Sequence, residues 1–430
     1  LVWAVATSGS AAFTTPTPAA AASPTFVRST FLDPRTALNW NSERWGAEFD
    51  AFHAAGIDTV VLGATIDLTG GTVKAYYPCN VAGAVQAKND SGQPLDIPGR
   101  VLALAKDHGM QVWLGLYRDS GRVRFTPDSS IKKVLLADAA ITRQLAADLW
   151  RVYHSDAGTI AGWYLPTEVN TNYTRGPARS AIQSYYATLS RWFSSRFDRK
   201  PVMISPYFNA RAGVSAKTWT KFWTQTLKKA RIGVLALQDG AGDIPGEPRS
   251  RKELDKTLRT WFSATKKAVK DARTKTKLWS NLDLYDFTGA SATVGDVAAN
   301  AKAVRSYVRG YTSFSFSSQY SPRCLGTDRY AKVFGAWNRS GKLPAGRPST
   351  PEITNPGSVG RARSATRTVE WAASTPTSGA EIAFYRLFDA KGTYVATAWS
   401  TSATIAATGG CLSVIAYDVA GHTSRAANAC

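Results

Sequence analysis

Between Thr25 and about Gly341 the chain alternates between two hydrophobic periods. Short runs rich in β-branched and aromatic residues are separated by longer stretches in which apolar residues recur every three or four positions, as on one face of a helix. Eight runs read as strands: Phe26–Asp33, Asp58–Ile66, Gln111–Arg118, Thr159–Val169, Pro201–Asn209, Ile232–Asp239, Lys277–Phe287 and Tyr311–Gln319. The stretches RWGAEFDAFHAAG after the first run and ADAAITRQLAADLWRVYH before the fourth carry the helical pattern. Strands separated by helices imply a parallel sheet with right-handed crossovers, and eight such units in about 300 residues predict an α/β fold of the closed (β/α)8, or TIM-barrel, kind. A doubly wound open sheet would show a glycine-rich phosphate loop after its first strand, and FLDPRTALNW contains none.

The pattern changes after Leu343. PAGRPSTPEITNPGS has the composition of a linker, and beyond it the period drops to two, in the runs RTVEWAA, AEIAFYRLFD, TYVATAWS, ATIAAT and CLSVIAYDVAG. Short alternating strands with regular turn signals predict an all-β sandwich. With Trp371 on an early strand and the hairpin Tyr417-Asp418-Val419-Ala420-Gly421-His422 near the end, the segment resembles a fibronectin type III or related immunoglobulin-like module. The expected layout is residues 1–24 as a signal-peptide remnant or linker, 25–343 as a barrel carrying catalysis, 344–356 as a linker and 357–430 as the sandwich.

In a (β/α)8 barrel the chemistry sits where the strands end, so carboxylates there are the first candidates. Side chains alternate along a strand, which puts Gly162, Tyr164 and Pro166 on one face with Glu168 and leaves Trp163 and Leu165 for the helices. That parity aims Glu168 at the barrel axis, where a carboxyl of raised pKa can donate a proton. In the seventh run Leu278, Leu282 and Leu284 face one way, and Trp279, Asn281, Asp283 and Tyr285 face the other. Asp283 is therefore the expected second catalytic carboxylate, and Asp286, of opposite parity, a structural residue. Other polar strand ends would line the same cleft and bind substrate: Asp33, Tyr117, Asp119, Tyr164, Tyr207, Asn209, Gln238, Asp239, Tyr285, Ser317 and Gln319. Carboxylates, amides and aromatics converging on one mouth suit a sugar ring, whose hydroxyls need hydrogen bonds and whose C–H faces need flat apolar platforms.

The segments FLDPRTALNWNSERWGAEFDAFHAAGIDTVVLGATID, GWYLPTEVN and KLWSNLDLYDF together resemble a family of secreted bacterial glycosyl-hydrolase-like TIM barrels of unknown function, over residues 26 to 335. The resemblance implies a Glu closing the fourth strand, matched by Glu168, and a Glu on the seventh, where Asp283 stands. The best-known clan of retaining barrel hydrolases places Asn before the fourth-strand Glu, and this chain has Thr167 there, so the likeness is to the wider barrel group.

These readings converge on hydrolysis of a glycosidic bond in a polysaccharide or glycoconjugate, with no metal or organic cofactor required. The alternative is a non-catalytic glycan- or cell-wall-binding protein on the same scaffold, the better reading if Glu168 and Asp283 do not face one cleft. There is no G-x-S-x-G elbow, no H-E-x-x-H and no Walker loop.

The net charge of +21 favours an acidic partner such as an anionic or cell-wall glycan. The basic stretch Arg249–Lys277 has helical spacing and reads as a solvated helix face, not a nucleic-acid patch. The run LVWAVA followed by small residues up to Ser23 resembles the tail of a signal peptide, which implies a secreted chain; no run approaches the ~20 apolar residues of a membrane helix, and a monomer is expected. Export permits two disulfides among Cys79, Cys324, Cys411 and Cys430, and the pairing Cys411–Cys430 with Cys79–Cys324 keeps each bridge within one domain.

Overall fold

The computed structural model describes residues 26–119, 130–242, 250–357, 366–376, 379–406 and 410–430; the expected signal segment lies outside them. Eight strands, β1 (Ser29–Leu32), β2 (Thr59–Leu62), β3 (Gln111–Gly115), β4 (Ile160–Leu165), β5 (Val202–Ile204), β6 (Val234–Gln238), β7 (Lys277–Asp283) and β8 (Gly310–Phe314), close into a barrel in which every neighbouring pair is parallel. Around it lie α1 (Ser42–Ala54), α2 (Ile97–Asp107), α3 (Ile131–Tyr153), α4 (Gly176–Phe193), α5 (Ala216–Lys229), α6 (Arg251–Ala272), α7 (Val294–Val304) and α8 (Arg329–Ser340), one after each strand.

Strand alternation sorts the apolar residues into two layers. Trp163 and Leu165 of β4 are buried against the helices, while Tyr164 joins Phe31, Val61, Trp113, Met203, Val234 and Ala236 in a separate cluster inside the barrel. The indole of Trp113 fits the lumen because its neighbour on β4 is Gly162, where a Cβ would lie 2.4 Å from the Trp113 ring and 2.5 Å from the Pro201 carbonyl oxygen. Two residues further along β5, β6 and β7 the inward positions turn polar, with Ser205, Gln238, Asn281 and Asp283. Asn281 sits in register with Gln238 and donates from Nδ2 to Ser205 Oγ at 3.1 Å. This polar layer sits at the mouth of the barrel.

Every barrel strand ends earlier than its run in the sequence suggests, and past the second and the eighth the chain forms other structure. The second stops at Leu62, and Ile66–Thr69 instead turns back through Gly70-Gly71 onto Thr72–Ala75. Both glycines have positive φ, the requirement of a two-residue hairpin turn. With Ala84–Gln86 and Tyr117–Arg118 this hairpin makes a four-stranded sheet on the rim. The eighth strand stops at Phe314, and Phe316–Gln319 is a single helical turn, so Ser317 and Gln319 do not close a strand.

The C-terminal part forms two antiparallel sheets. One contains β9 (Glu352–Asn355), β10 (Thr366–Ala372) and β13 (Ser402–Ala406); the other contains β11 (Ile382–Asp389), β12 (Tyr394–Ala398), β14 (Leu412–Asp418) and β15 (Ala427–Ala429). Their core gathers Val369, Trp371, Tyr385, Leu387 and Val414. The sheets rest on the barrel at the start of α7. The amide of Val294 donates to the Val419 carbonyl at 2.8 Å, and a Cβ on Gly295 would come within 2.2 Å of the Ala420 carbonyl oxygen.

Cys411 and Cys430 form the expected disulfide, joining the approach to β14 to the last residue. The expected Cys79–Cys324 bridge is not formed, and both cysteines are free thiols. The rim sheet carries the chain around Cys79 across to α3, where the Tyr77 hydroxyl and the Asn80 amide both donate to Asp148 Oδ2. Cys324 lies instead over Ser318, near Arg44 and Glu48 of α1. Neighbouring strands bring the roots of two loops together, not residues far out along them.

Candidate active site

A cleft of about 240 Å3 opens at the C-terminal ends of β1, β4 and β8 and the loops beyond them. Larger cavities lie at the opposite end of the barrel and between its outer helices, away from the strand ends where barrel chemistry occurs. Glu168 stands in the cleft three residues past β4, exposed, on the same wall as Tyr164 and Pro166. Its Oε1 accepts a hydrogen bond from Gln238 Nε2 at 3.3 Å, and that amide is itself fixed by donating to the Ser205 carbonyl at 2.9 Å. Helix α4 holds the backbone beside it: the Tyr186 hydroxyl donates to the Thr167 carbonyl at 3.0 Å, and Thr167 Oγ1 lies 2.9 Å from the Tyr185 hydroxyl.

Opposite stand Asp33 and Asp119. Asp33 is gripped by two guanidinium groups, with Arg35 Nε 3.0 Å from Oδ1 and Arg118 Nη1 3.1 Å from Oδ2. Burial would raise the Asp33 pKa, but the hydrogen bonds and charges of Arg35 and Arg118 outweigh it and hold the carboxyl down at about 2. Arg118 also pairs with Asp67, which accepts the Tyr76 hydroxyl at 2.8 Å. Asp33 is thus a fixed anion inside a neutralised cluster. Among the described residues, Asp119, buried in the wall next to Arg118, is the remaining carboxylate of the cleft besides Glu168.

The rest of the lining is aromatic and amide. Phe31 meets Tyr164 edge-on at 5.1 Å and Phe314 at 5.8 Å. Phe314 is 43% exposed, an apolar ring turned to solvent at the mouth. Asn170 donates from Nδ2 to the Tyr207 hydroxyl at 2.6 Å, and Tyr173 completes that wall. The Tyr164 phenol is held far above its ordinary pKa, first by burial and then by the charge of Glu168, against the opposing pull of Arg118. It stays protonated. Among the described residues no group of three or more His, Cys, Asp and Glu side chains is placed to hold a metal ion, and no helix is long and apolar enough to cross a membrane.

Residues 27–325 match the family described as a domain of unknown function, DUF4434. The chain belongs to the DUF4434 family. No curated protein matches it. A crystal structure from Bacteroides thetaiotaomicron, provisionally described as an alpha-L-fucosidase, superimposes with a TM-score of 0.57 at 18% identity, over 75% of this chain and 99% of that one. The glycoside hydrolase domain of PgaB (BpsB) from Bordetella bronchiseptica gives 0.41 at 12% identity, over 70% and 98%. The DUF4434 barrel of this chain shares its fold with the Bacteroides structure.

Of the residues singled out from sequence, the DUF4434 chain brings Asp33, Asp119, Tyr164, Glu168 and Tyr207 to one cleft, with Gln238 bonded to Glu168. Seven others lie elsewhere, among them Ser317, buried in the helical turn past β8. Tyr117 is buried in the outer core. The Asn209 side chain accepts from the Arg211 amide in a surface turn. Tyr285 bridges to Ser291 beyond β7, and Ser291 Oγ donates to Gln319 Oε1. Asp283 points inward as its parity requires, but it is 3% exposed and its Oδ2 accepts the Gly242 amide at 3.2 Å. Asp239, fully buried, accepts the Asp283 amide at 3.1 Å through Oδ1. Burial of Asp239 raises its pKa to about 6, against the hydrogen bonds from Ala241 and Asp283. Sequence reasoning missed Phe31, Arg35, Arg118, Asn170, Tyr173 and Phe314. The one legible signal was Arg118, a cation closing an otherwise apolar run.

Proposed function

We propose that this protein hydrolyses a glycosidic bond, with Glu168 as the proton donor. The observation that carries this reading is the exposed Glu168 carboxyl, just past the end of the fourth strand of a barrel, held by an amide from Gln238 in a cleft lined with aromatic rings. Exposed Phe314 and the rings of Tyr164, Tyr173 and Tyr207 supply a platform and hydroxyls for a sugar. Two-carboxylate hydrolysis needs a second acid facing the same bond, at about 5–5.5 Å for retention or about 6.5–9.5 Å for inversion. Asp33 is neutralised by its arginines, so Asp119 takes that role in our reading and Asp283 becomes a buried support of the turn at Gly242. The Cys411–Cys430 disulfide supports an exported protein acting outside the cell.

The withdrawal of Asp283 from the cleft favours a second reading, a barrel that binds glycan without cleaving it. Incubating the purified protein with a panel of bacterial and plant polysaccharides and analysing the products separates the two. New reducing ends support hydrolysis. Retention on a polysaccharide that is never shortened supports binding alone.

A further inference from the structure

The face of the barrel opposite the cleft carries a cavity of about 600 Å3 where β5, β6 and β7 begin. Among the described residues, seven cations line it and no carboxylate does. Arg191, Lys228 and Lys229 reach it from α4 and α5; Arg199 and Lys200 precede β5; Arg231 and Lys275 precede β6 and β7. Among the described residues none of the seven forms an ion pair, whereas Arg28, Arg118, Arg151, Arg251 and Arg386 each have an acidic partner. Three are fixed in place without being neutralised: Arg191 Nε donates to the Lys229 carbonyl at 3.2 Å, Arg231 Nη1 to Ser194 Oγ at 3.0 Å and Lys200 Nζ to the Ala157 carbonyl at 2.7 Å. Like charges converging on one cavity repel, so a surface shaped only for solubility would intersperse the two signs.

The positive track continues past the cavity. Lys217, Lys221 and Lys228 fall on one face of α5, and a second groove between α5 and α6 is lined by them with Arg259 and Lys267. The acid that lines it among the described residues, Asp271, is paired with Lys267 at 2.8 Å. Lys228 belongs to both depressions, which makes them one strip. Such a strip fits a linear polymer bearing one negative group per repeat better than a compact anion. Binding single-stranded nucleic acid would call for aromatic faces on which bases stack. The one tyrosine in the strip, Tyr307, already lies under the Lys266 ammonium at 5.8 Å, and Phe193 is fully buried.

We propose that this basic strip is a binding site for an acidic polysaccharide, separate from the cleft and able to hold the protein on an anionic glycan whatever the cleft does. The test uses the full chain carrying Glu168→Gln, so that cleavage cannot intrude, with polygalacturonate as probe and neutral dextran and single-stranded DNA as comparators. The groove variant adds Lys228→Glu, Lys229→Glu and Lys275→Glu. A control variant makes the same charge change at exposed Lys106, Lys302 and Lys391, and thermal melts verify that both fold. Polygalacturonate but not dextran should bind, with an affinity that falls steeply as salt rises; the groove variant should lose about tenfold or more and the control far less. Equal losses in the two variants, no binding of polygalacturonate, or tighter groove-dependent binding of DNA would each overturn the proposal. Because hydrolysis is not read, failure here leaves the role of Glu168 untouched.

Discussion

Arg386 of β11 and Asp286, just past β7, form an ion pair at 2.9 Å in which each side chain is only 10% exposed. The guanidinium is also packed among rings, 4.9 Å from Phe287, 4.8 Å from Phe384 and 5.0 Å from Tyr417. One arginine therefore ties the sandwich to the barrel by charge and by cation–π contact. Removing one partner of a buried pair leaves the other charge uncompensated, at a cost of about 3–5 kcal/mol. Arg386→Ala should lower the urea midpoint accordingly and expose the segment between barrel and sandwich to protease. Replacing both partners, with Arg386→Met and Asp286→Leu, should recover much of the loss. An Arg386→Ala protein as stable and protease-resistant as the parent would remove this pair from the interface.

Asp239 and Asp33 should give stability opposite pH dependences. The Asp239 pKa is raised from 3.8 to about 6 in the folded state, so the fold binds the extra proton between those values. Its contribution is present below the unfolded pKa and lost as pH rises through about 6. Asp239→Asn, which keeps the acceptor for the Ala241 and Asp283 amides, should stabilise the protein at neutral pH and change little in acid. Asp33, depressed from 3.8 to about 2, contributes above the unfolded value and loses that contribution as pH falls toward about 2. Asp33→Asn should be the less stable protein near neutrality, with the gap closing in acid. Urea midpoints across that range measure both, and parallel curves for parent and variants would contradict the assignments.

The eight barrel strands were legible because strand and helix periods differ and the barrel repeats them. Glu168 was legible because the alternation along β4 carries on to Pro166 and Glu168. Parity failed where the ladder breaks. Past Gly115 the chain leaves the barrel, and Tyr117 pairs with Ile66 of the rim sheet, so it is buried and Arg118 meets the cleft. For Asp283 parity gave the direction correctly but not the depth, which depends on the turn at Gly242. The clamp on Asp33 joins residues 85 apart in sequence, and no local pattern encodes that. The Cys79 pairing failed for a related reason, since strand adjacency says nothing of where a long loop ends.

The thiols give a chemical check on the fold. Without reduction, alkylation should label Cys79 and Cys324 and leave Cys411 and Cys430 linked. Burial raises the pKa of both free thiols, so labelling should be slow at neutral pH and accelerate in alkali, with exposed Cys324 ahead of Cys79. Peptide mapping that finds Cys79 joined to Cys324 would contradict the path of the rim sheet.

Asp119 lines the cleft and Asp283 does not, so their variants separate the two roles. On a substrate found by the polysaccharide panel, Asp119→Asn should lower kcat by about a hundredfold or more, with the melting temperature little changed. Asp283→Asn should lower stability and leave kcat within about tenfold of the parent, since it removes a support and not a reacting group. The reverse pattern would restore Asp283 as the second catalytic carboxylate.

The most direct measurement is the turnover of Glu168→Gln on that same substrate. Glutamine keeps the size of the side chain and a partner for Gln238 but cannot donate a carboxyl proton. The account predicts an unchanged fold and a fall in kcat of about a hundredfold to ten-thousandfold, the range expected for loss of general acid catalysis. Full turnover by Glu168→Gln would contradict it.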